Sequence, residues 1–338
     1  MKKRLFMLLA GLLAIFALTA CGTKSQEDVV KELGGKVEEL KGYKAEAKMT
    51  LQMGTEPQTY AIEIWHKKPD YYRVSLKNPE KNQSQMILRN EEGVFVLTPA
   101  LNKSFKFQSD WPQNSSQAYL YESLLQDILE DKEAKFSATK EHYVFETKTR
   151  YQNNKMLPYQ EITLDKKDLA PVSVKVMDSD RNPLVTVDFS KVDFKAALDK
   201  KDFDTQKNMT GAQIEVPVMA EEAASEEFSV KYPQAELENV SLIDEKEISM
   251  EDGKRFILTY GGDKSFTLIQ EKADVMPANT SYTSESGEPV DLGFTIGAID
   301  DNKISWTHGG VEYIIASSDL TREEMVMLAQ SVQGDAVK

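Results

Sequence analysis

The stretch Tyr43-Lys44-Ala45-Glu46-Ala47-Lys48-Met49-Thr50-Leu51-Gln52-Met53 sets the architecture. Tyr43, Ala45, Ala47, Met49, Leu51 and Met53 alternate with Lys44, Glu46, Lys48, Thr50 and Gln52, the period of a strand with one buried face. The same grammar continues outward. Residues 54–58 read as a turn, and Tyr60, Ile62 and Ile64 then alternate with Ala61, Glu63 and Trp65. Pro69-Asp70 breaks that run, and Tyr72, Val74 and Leu76 begin a third strand. Shorter strands follow over residues 86–89, 94–97 and 104–107, with turns at 90–93 and 99–103. Strands at this spacing predict an antiparallel meander, curved or closed to manage its edges.

Two helices attach to this meander. Ser25 with Asp28 three residues later approximates a capping box. Val29, Leu33, Val37 and Leu40 then recur at helical spacing, which predicts a helix over residues 26–40. Gly34 and Gly35 weaken it by about 1 kcal/mol each relative to Ala. The second helix interrupts the strands, with Ser115 or Ser116 as its cap. Tyr119, Leu120, Leu124, Leu125, Ile128 and Leu129 fall on one face, opposite Gln117, Glu122, Gln126, Asp127 and Glu130. An amphipathic helix inside a sheet protein must cover something apolar. Strands resume over residues 142–148, 159–164, 172–177 and 184–189, joined by polar turns at 165–168 and 178–182.

The N-terminus carries a different message. Lys2, Lys3 and Arg4 precede an apolar run over residues 5–18, and small residues end it. That is the pattern of a secretory signal peptide over residues 1–20, and the run is shorter than the roughly 20 residues of a spanning helix. Leu18-Thr19-Ala20-Cys21 resembles a bacterial lipobox, in which the thiol takes a palmitate-type diacylglyceryl group and the chain is cut just before it. Cys21 is the chain's single cysteine, so no disulfide can form within it. The expectation is a lipidated N-terminus at 21–24 on the outer face of the cytoplasmic membrane.

Helix, meander, embedded helix and further meander together resemble the periplasmic lipoprotein carrier LolA and its receptor LolB. Glu63-Ile64-Trp65-His66-Lys67-Lys68-Pro69-Asp70-Tyr71-Tyr72-Arg73 is similar to the carrier's strand–turn segment. Residues 159–194, with Leu164-Asp165-Lys166-Lys167 and Pro171-Val172-Ser173-Val174-Lys175-Val176, resemble its closing strands. The resemblance covers about 180 residues, roughly one domain. It implies an incomplete β-barrel with a helical lid over an apolar cavity that receives acyl chains. On that reading Met49, Leu51, Ile62, Ile64, Tyr72 and Val74 line the cavity, and Tyr119, Leu120, Leu124 and Ile128 cover it. The bland alternative is that these residues, with Leu76, Met86 and Leu88, simply fill a core. Where the carrier has an Arg that latches barrel to lid, this chain has Lys68, which cannot reproduce the planar bidentate fork. The LolA-like sporulation lipoproteins of Gram-positive spore formers are the closely matching group, which implies a role in sporulation.

Charge divides the rest of the chain. Residues 22–210 carry 29 basic and 30 acidic residues, whereas residues 211–338 carry 9 and 25. The asymmetry places a half-barrel domain at 25–210, an acidic linker at 211–227 containing Pro217, and a small acidic α+β domain at 228–338. In that last domain Gly261-Gly262-Asp263-Lys264, Asp300-Asp301-Asn302 and His308-Gly309-Gly310 read as tight turns between strands. Thr321 with Glu324 is a capping box before a final helix carrying Met325, Leu328, Ala329 and Val332.

Little in the sequence points to chemistry. His66, His142 and His308 have no partner at metal-ligand spacing, and no nucleophile elbow, Walker loop or dinucleotide fingerprint occurs. A net charge of −14 and the lack of a basic face exclude nucleic acid. The sequence therefore predicts a mainly β, α+β lipoprotein that is not an enzyme and needs no cofactor or metal. Its expected partners are the membrane, through the anchor, and an acyl chain or lipoprotein ligand. The alternative is a scaffold that docks a cell-envelope or spore-cortex protein.

Overall fold

The computed structural model describes residues 24–52, 57–78, 83–113, 116–151, 155–215, 229–250, 253–275, 282–285 and 287–332. The signal segment with Cys21, Met53, most of the turn at 54–58, Ser115, Pro217 and the acidic run at 221–227 lie outside the described residues.

The chain opens with α1 (Gln26–Glu39), capped as its sequence predicts: the Asp28 amide donates to Ser25 Oγ and the Ser25 amide to Asp28 Oδ2, both at 3.2 Å. Six strands follow: β1 (Gly42–Leu51), β2 (Gln58–Lys67), β3 (Tyr71–Asn78), β4 (Gln83–Asn90), β5 (Gly93–Thr98) and β6 (Lys103–Phe107). After α2 (Tyr121–Glu130) come β7 (Lys135–Ala138), β8 (His142–Lys148), β9 (Tyr159–Asp165), β10 (Pro171–Met177) and β11 (Pro183–Asp193). β7 is an addition to the expected strands; it is four residues long and lacks a buried position that would reveal it.

β1 pairs antiparallel with β11, which joins the two halves of the meander into one open sheet in the order β6-β5-β4-β3-β2-β1-β11-β10-β9-β8-β7. Its two faces are covered differently. Tyr43, Ala45, Ala47, Met49 and Leu51 of β1 pack in one apolar cluster with Val29 and Leu33 of α1 and Leu124, Leu125 and Ile128 of α2. This is a half-barrel with a helical lid. On the other face Met86 and Leu88 of β4 and Phe95 and Leu97 of β5 pack under α3 (Thr205–Glu215), against Met209 and Ala212. Met86 and Leu88 thus fill a core, as the bland reading has it, in the outer layer rather than under the lid. The period of two sends Ile87 inward and its neighbours outward.

α2 departs from its expected form in two respects. It begins at Tyr121 with Leu120 at the N-cap and no side-chain cap, because Ser116 is engaged elsewhere. Asp127, expected on the polar face, is 2 % exposed, whereas Leu129, expected on the apolar face, is 37 % exposed. Long-range donors to Asp127, described below, decide this rotation.

α3 runs across residues 210 and 211, where the charge asymmetry begins. Beyond it lie β12 (Val240–Met250), β13 (Gly253–Gly262), β14 (Phe266–Lys272), β15 (Thr283–Ser284), β16 (Glu288–Asp291), β17 (Ile296–Ile299), β18 (Lys303–His308), β19 (Val311–Ala316) and α4 (Arg322–Ser331). Among the described residues the second sheet has seven strands, ordered β12-β13-β14-β19-β18-β17-β16. Gly262 at the end of β13 has φ +148°, and a Cβ there would stand 1.7 Å from the Asn239 carbonyl oxygen, so only glycine fits. α4 packs on β18 and buries Met325, Leu328 and Ala329, with the Thr321–Glu324 capping box in place.

The two units are joined tightly. β15 adds to β6 in parallel, extending the front sheet with a strand of the back unit. The Gln85 side chain on β4 accepts from the Ile296 amide at 2.5 Å and donates to the Ile296 carbonyl at 3.1 Å. Lys103 on β6 meets Glu312 on β19 at 3.0 Å. Apolar residues of both units belong to one continuous cluster.

Candidate functional site

The ten residues expected to line and cover a cavity do come together. Met49, Leu51, Ile62, Ile64, Tyr72 and Val74 on β1–β3 meet Tyr119, Leu120, Leu124 and Ile128, and all ten are buried in one cluster. Ile64, Val74, Leu120 and Leu124 have no exposed surface at all, so no water-sized gap lies against them. At these positions the closed interior is filled by side chains.

The lid is held to the rim of the sheet by polar groups. Lys68 follows β2 and its Nζ donates to the carbonyls of Val37 at 3.1 Å and Glu38 at 2.9 Å, in the last turn of α1. Those carbonyls have no partner within the helix, and a cation beside them is favoured by the helix dipole. A lysine therefore makes the barrel-to-lid contact as a point charge on backbone, without a bidentate fork.

The second hold is on α2. Glu122 Oε1 lies 2.7 Å from Nε2 of His66, which is buried on β2. Its Oε2 accepts from the Tyr43 hydroxyl at 3.1 Å, and that hydroxyl accepts from the Tyr121 amide at 3.0 Å. His66 Nδ1 lies 3.2 Å from the Tyr71 carbonyl, which only accepts, so Nδ1 carries a proton. The Nε2 contact with a carboxylate is then attractive only when Nε2 is protonated as well. It is electrostatic in character, since Oε1 receives no well-aligned hydrogen bond. His66 stacks on Tyr72 with centroids 4.4 Å apart, which fixes the ring plane. Burial drives the Tyr43 hydroxyl well above its usual range, with Glu122 adding to the effect, so Tyr43 stays a donor.

Two carboxylates, Asp127 buried and Asp291 half-buried, bond to the segment that leads into α2. Asp127 accepts from the Ser116 hydroxyl at 2.8 Å, Arg150 Nε at 2.6 Å and Gln160 Nε2 at 2.6 Å. Burial raises its carboxyl despite Arg150 and these donors. Asp291, the last residue of β16, accepts from the Tyr119 hydroxyl at 2.9 Å and the Gly293 amide at 2.7 Å. Burial raises it too, against those two donors. Tyr119 also lies 3.0 Å from Gln117 Oε1. The hydroxyl has one proton, and of its two acceptors the carboxylate is the stronger.

His66, Tyr43, Glu122, Asp127 and Asp291 are the site residues that sequence reasoning did not select. Residue type offered one signal only: a histidine inside an apolar alternation needs a polar partner when buried. Among the described residues no group of three or more His, Asp or Glu is placed to hold a metal ion.

The family model for the sporulation protein YdcC-like proteins matches residues 1–203. The sporulation protein YdcC of Bacillus subtilis (strain 168) is 57 % identical over 337 residues, spanning all of this chain and 99 % of that one. The chain belongs to the YdcC-like family. Among solved structures, the MucA/MucB complex of Pseudomonas aeruginosa is similar at TM-score 0.35 and 13 % identity, covering 93 % of this chain and all of that one. The CwlD amidase–GerS lipoprotein complex of Clostridioides difficile aligns at TM-score 0.31 and 19 % identity, over 50 % and 96 %. A LolA superfamily protein of Nitrosomonas europaea aligns at TM-score 0.31 and 10 % identity, over 53 % and 98 %. At these scores the likeness is distant. The YdcC-like family model ends at residue 203, so it takes in the lid, its latch residues and β1–β11. The Bacillus relative also spans the back unit.

Proposed function

We propose that this YdcC-like chain is a non-catalytic lipoprotein of sporulation, tethered through Cys21 to the outer face of the cytoplasmic membrane. It takes one acyl chain, or a ligand equally slender and apolar, between lid and sheet. The observation that carries this reading is an apolar interior closed by a lid whose rim contacts are polar: Lys68 on the end of α1, and His66 with Tyr43 on Glu122. Magnitudes set how such a lid works. Exposing Val29, Leu33, Leu124 and Ile128 to water costs about 1.5–3 kcal/mol each, on the order of 6–12 kcal/mol together. Polar rim contacts add about 1 kcal/mol each. The lid therefore stays shut in water. An acyl chain of about sixteen carbons brings roughly 12 kcal/mol of its own at about 0.8 kcal/mol per methylene, enough to replace the lost contacts.

The test is native mass spectrometry of the chain purified from membranes, joined to uptake of a fluorescent fatty acid. A co-purifying lipid near one per chain, or saturable uptake, is expected. No bound mass and no uptake, in wild type and in Glu122→Ala alike, would sink the acyl reading. The tether is tested with labelled palmitate: Cys21→Ala should lose the label and leave the membrane fraction.

A second reading has its own observation. β12 is the edge of the back sheet and exposes Leu242, Ile243, Ile248 and Met250. A cell-envelope protein docked there would make the chain a scaffold, and its binding would survive any change under the lid that leaves the fold intact.

A further inference from the structure

Among the described residues the back unit touches the front unit at the sheet, at the lid and before β9, where Lys155 meets Glu323 at 2.9 Å. Gln85 with Ile296, Lys103 with Glu312 and β15 with β6 all lie on the β4–β6 side of the front sheet. Tyr119 with Asp291 lies on the lid, two residues before α2 begins. The back unit thus bridges the sheet and the segment that covers it.

That second contact is unusual in its chemistry. Asp291 ends a strand whose neighbours Pro289 and Val290 are buried and apolar. A half-buried carboxylate there loses part of its water, and among the described residues it recovers two neutral donors, the Tyr119 hydroxyl and the Gly293 amide. Asp127 has Arg150 as counter-charge, whereas no cation reaches Asp291 among the described residues. An apolar side chain would suit packing against these neighbours better, because desolvating a carboxylate even in part is costly without compensation. What the carboxylate adds is a directed hold on one hydroxyl, and Tyr119 itself is 1 % exposed.

We propose that the back unit is the keeper of the lid: α2 cannot swing clear of the sheet while Asp291 holds Tyr119, so a displacement of the back unit is what frees the front unit to open. This rests on the reading of α1 and α2 as a lid that moves. The front unit's own hold, Glu122 on His66 and Tyr43, is three residues further along the chain and is independent of the back unit. With Lys68 on α1 and Asp127 on Arg150 and Gln160, the front unit has several holds of its own, and the hold from the back unit makes opening conditional on both units. A factor that binds the back unit then controls access to an interior it never touches, through a two-state contact biased from one side.

The experiment is amide hydrogen exchange of residues 116–130 in the full chain, without added ligand. Tyr119→Phe removes the hydroxyl and keeps the ring, and Asp291→Ala removes the carboxylate. Each should speed exchange in that segment about tenfold. Asp291→Asn keeps an acceptor for Tyr119 and should stay within about twofold of wild type. Glu312→Gln weakens the same interface away from the lid and should leave residues 116–130 unchanged. Unchanged exchange in both Tyr119→Phe and Asp291→Ala overturns the proposal, as does equal acceleration by Glu312→Gln. Fatty-acid uptake by the same variants is a separate readout. Faster exchange with no uptake in any variant upholds the keeper and removes the acyl ligand, whereas uptake with unchanged exchange does the reverse.

Discussion

β1 and β12 are strands of ten and eleven residues with opposite fates. β1 buries every second side chain, because one of its faces lies under α1 and α2. β12 buries none, although Leu242, Ile243, Ile248 and Met250 are as apolar as anything in β1. The difference is one of cover. β1 sits mid-sheet between β2 and β11, whereas among the described strands β12 has a neighbour on one side only. Its register with β13 also slips between Leu242 and Asp244, the kind of bulge that spoils an edge for further pairing. An apolar residue is stabilising only where another layer comes down upon it, and sequence shows the residue more readily than the layer.

The largest test of this contrast is Ile64→Ala, since Ile64 is fully buried beside β1. Removing three methyl or methylene groups there should cost about 3 kcal/mol in chemical denaturation. A loss under 1 kcal/mol would mean that the interior under the lid is looser than its burial implies. Next comes Glu122→Ala, which removes the carboxylate beside His66 Nε2 and the acceptor of the Tyr43 hydroxyl. Stability should fall by about 2 kcal/mol, with faster exchange in α2, and an unchanged lid would show that the rim contacts do not hold it.

Acid should separate the two units more gently. Burial pushes the Glu324 carboxyl up, but Lys264 and the Thr321 donors outweigh it and hold it below the usual 4.5. A carboxyl lowered on folding stabilises above its unfolded value and loses that stability as pH falls through its folded one. Asp127 has the opposite sign. Burial raises it above 3.8, so the native site takes its proton before the unfolded chain does, and acid removes no stability there. Below about pH 4.5 the cap of α4 should therefore exchange faster while α2 stays protected, and the reverse order would contradict the assignment. The smallest effect belongs to β12. Ile243 is 65 % exposed, and Ile243→Thr should change stability by no more than about 0.5 kcal/mol. A loss beyond that would mean that β12 has a cover after all, such as a second molecule.

What was legible in the sequence was local. The capping boxes at Ser25–Asp28 and Thr321–Glu324 are written within four residues, and both form. The alternation in β1 and β2 is likewise complete within a few residues, and the structure keeps its register. The resemblance carried by residues 63–73 and 159–194 led to the half-barrel and the family. What escaped was set by distance along the chain. Glu122 meets His66 from 56 positions away, and Asp127 turns inward because Arg150 and Gln160 arrive from β-strands and loops that no helical wheel contains. Met86 and Leu88 fill a core as read, but which core is not written locally: both faces of β4 are covered, so Met86, Ile87 and Leu88 are all apolar and no alternation marks them.

The parallel pairing of Thr283 and Ser284 with Phe105 and Lys106 has a consequence for how the protein reaches its fold. β6 ends the front sheet, and its open side is a template for any other strand until β15 arrives. The residues that seal it lie almost 180 positions further along. A chain that folds as it emerges therefore completes its front sheet while that edge is still bare. The interval before sealing is when this protein is most exposed to mispairing with its neighbours, and a truncation before residue 283 would make that interval permanent.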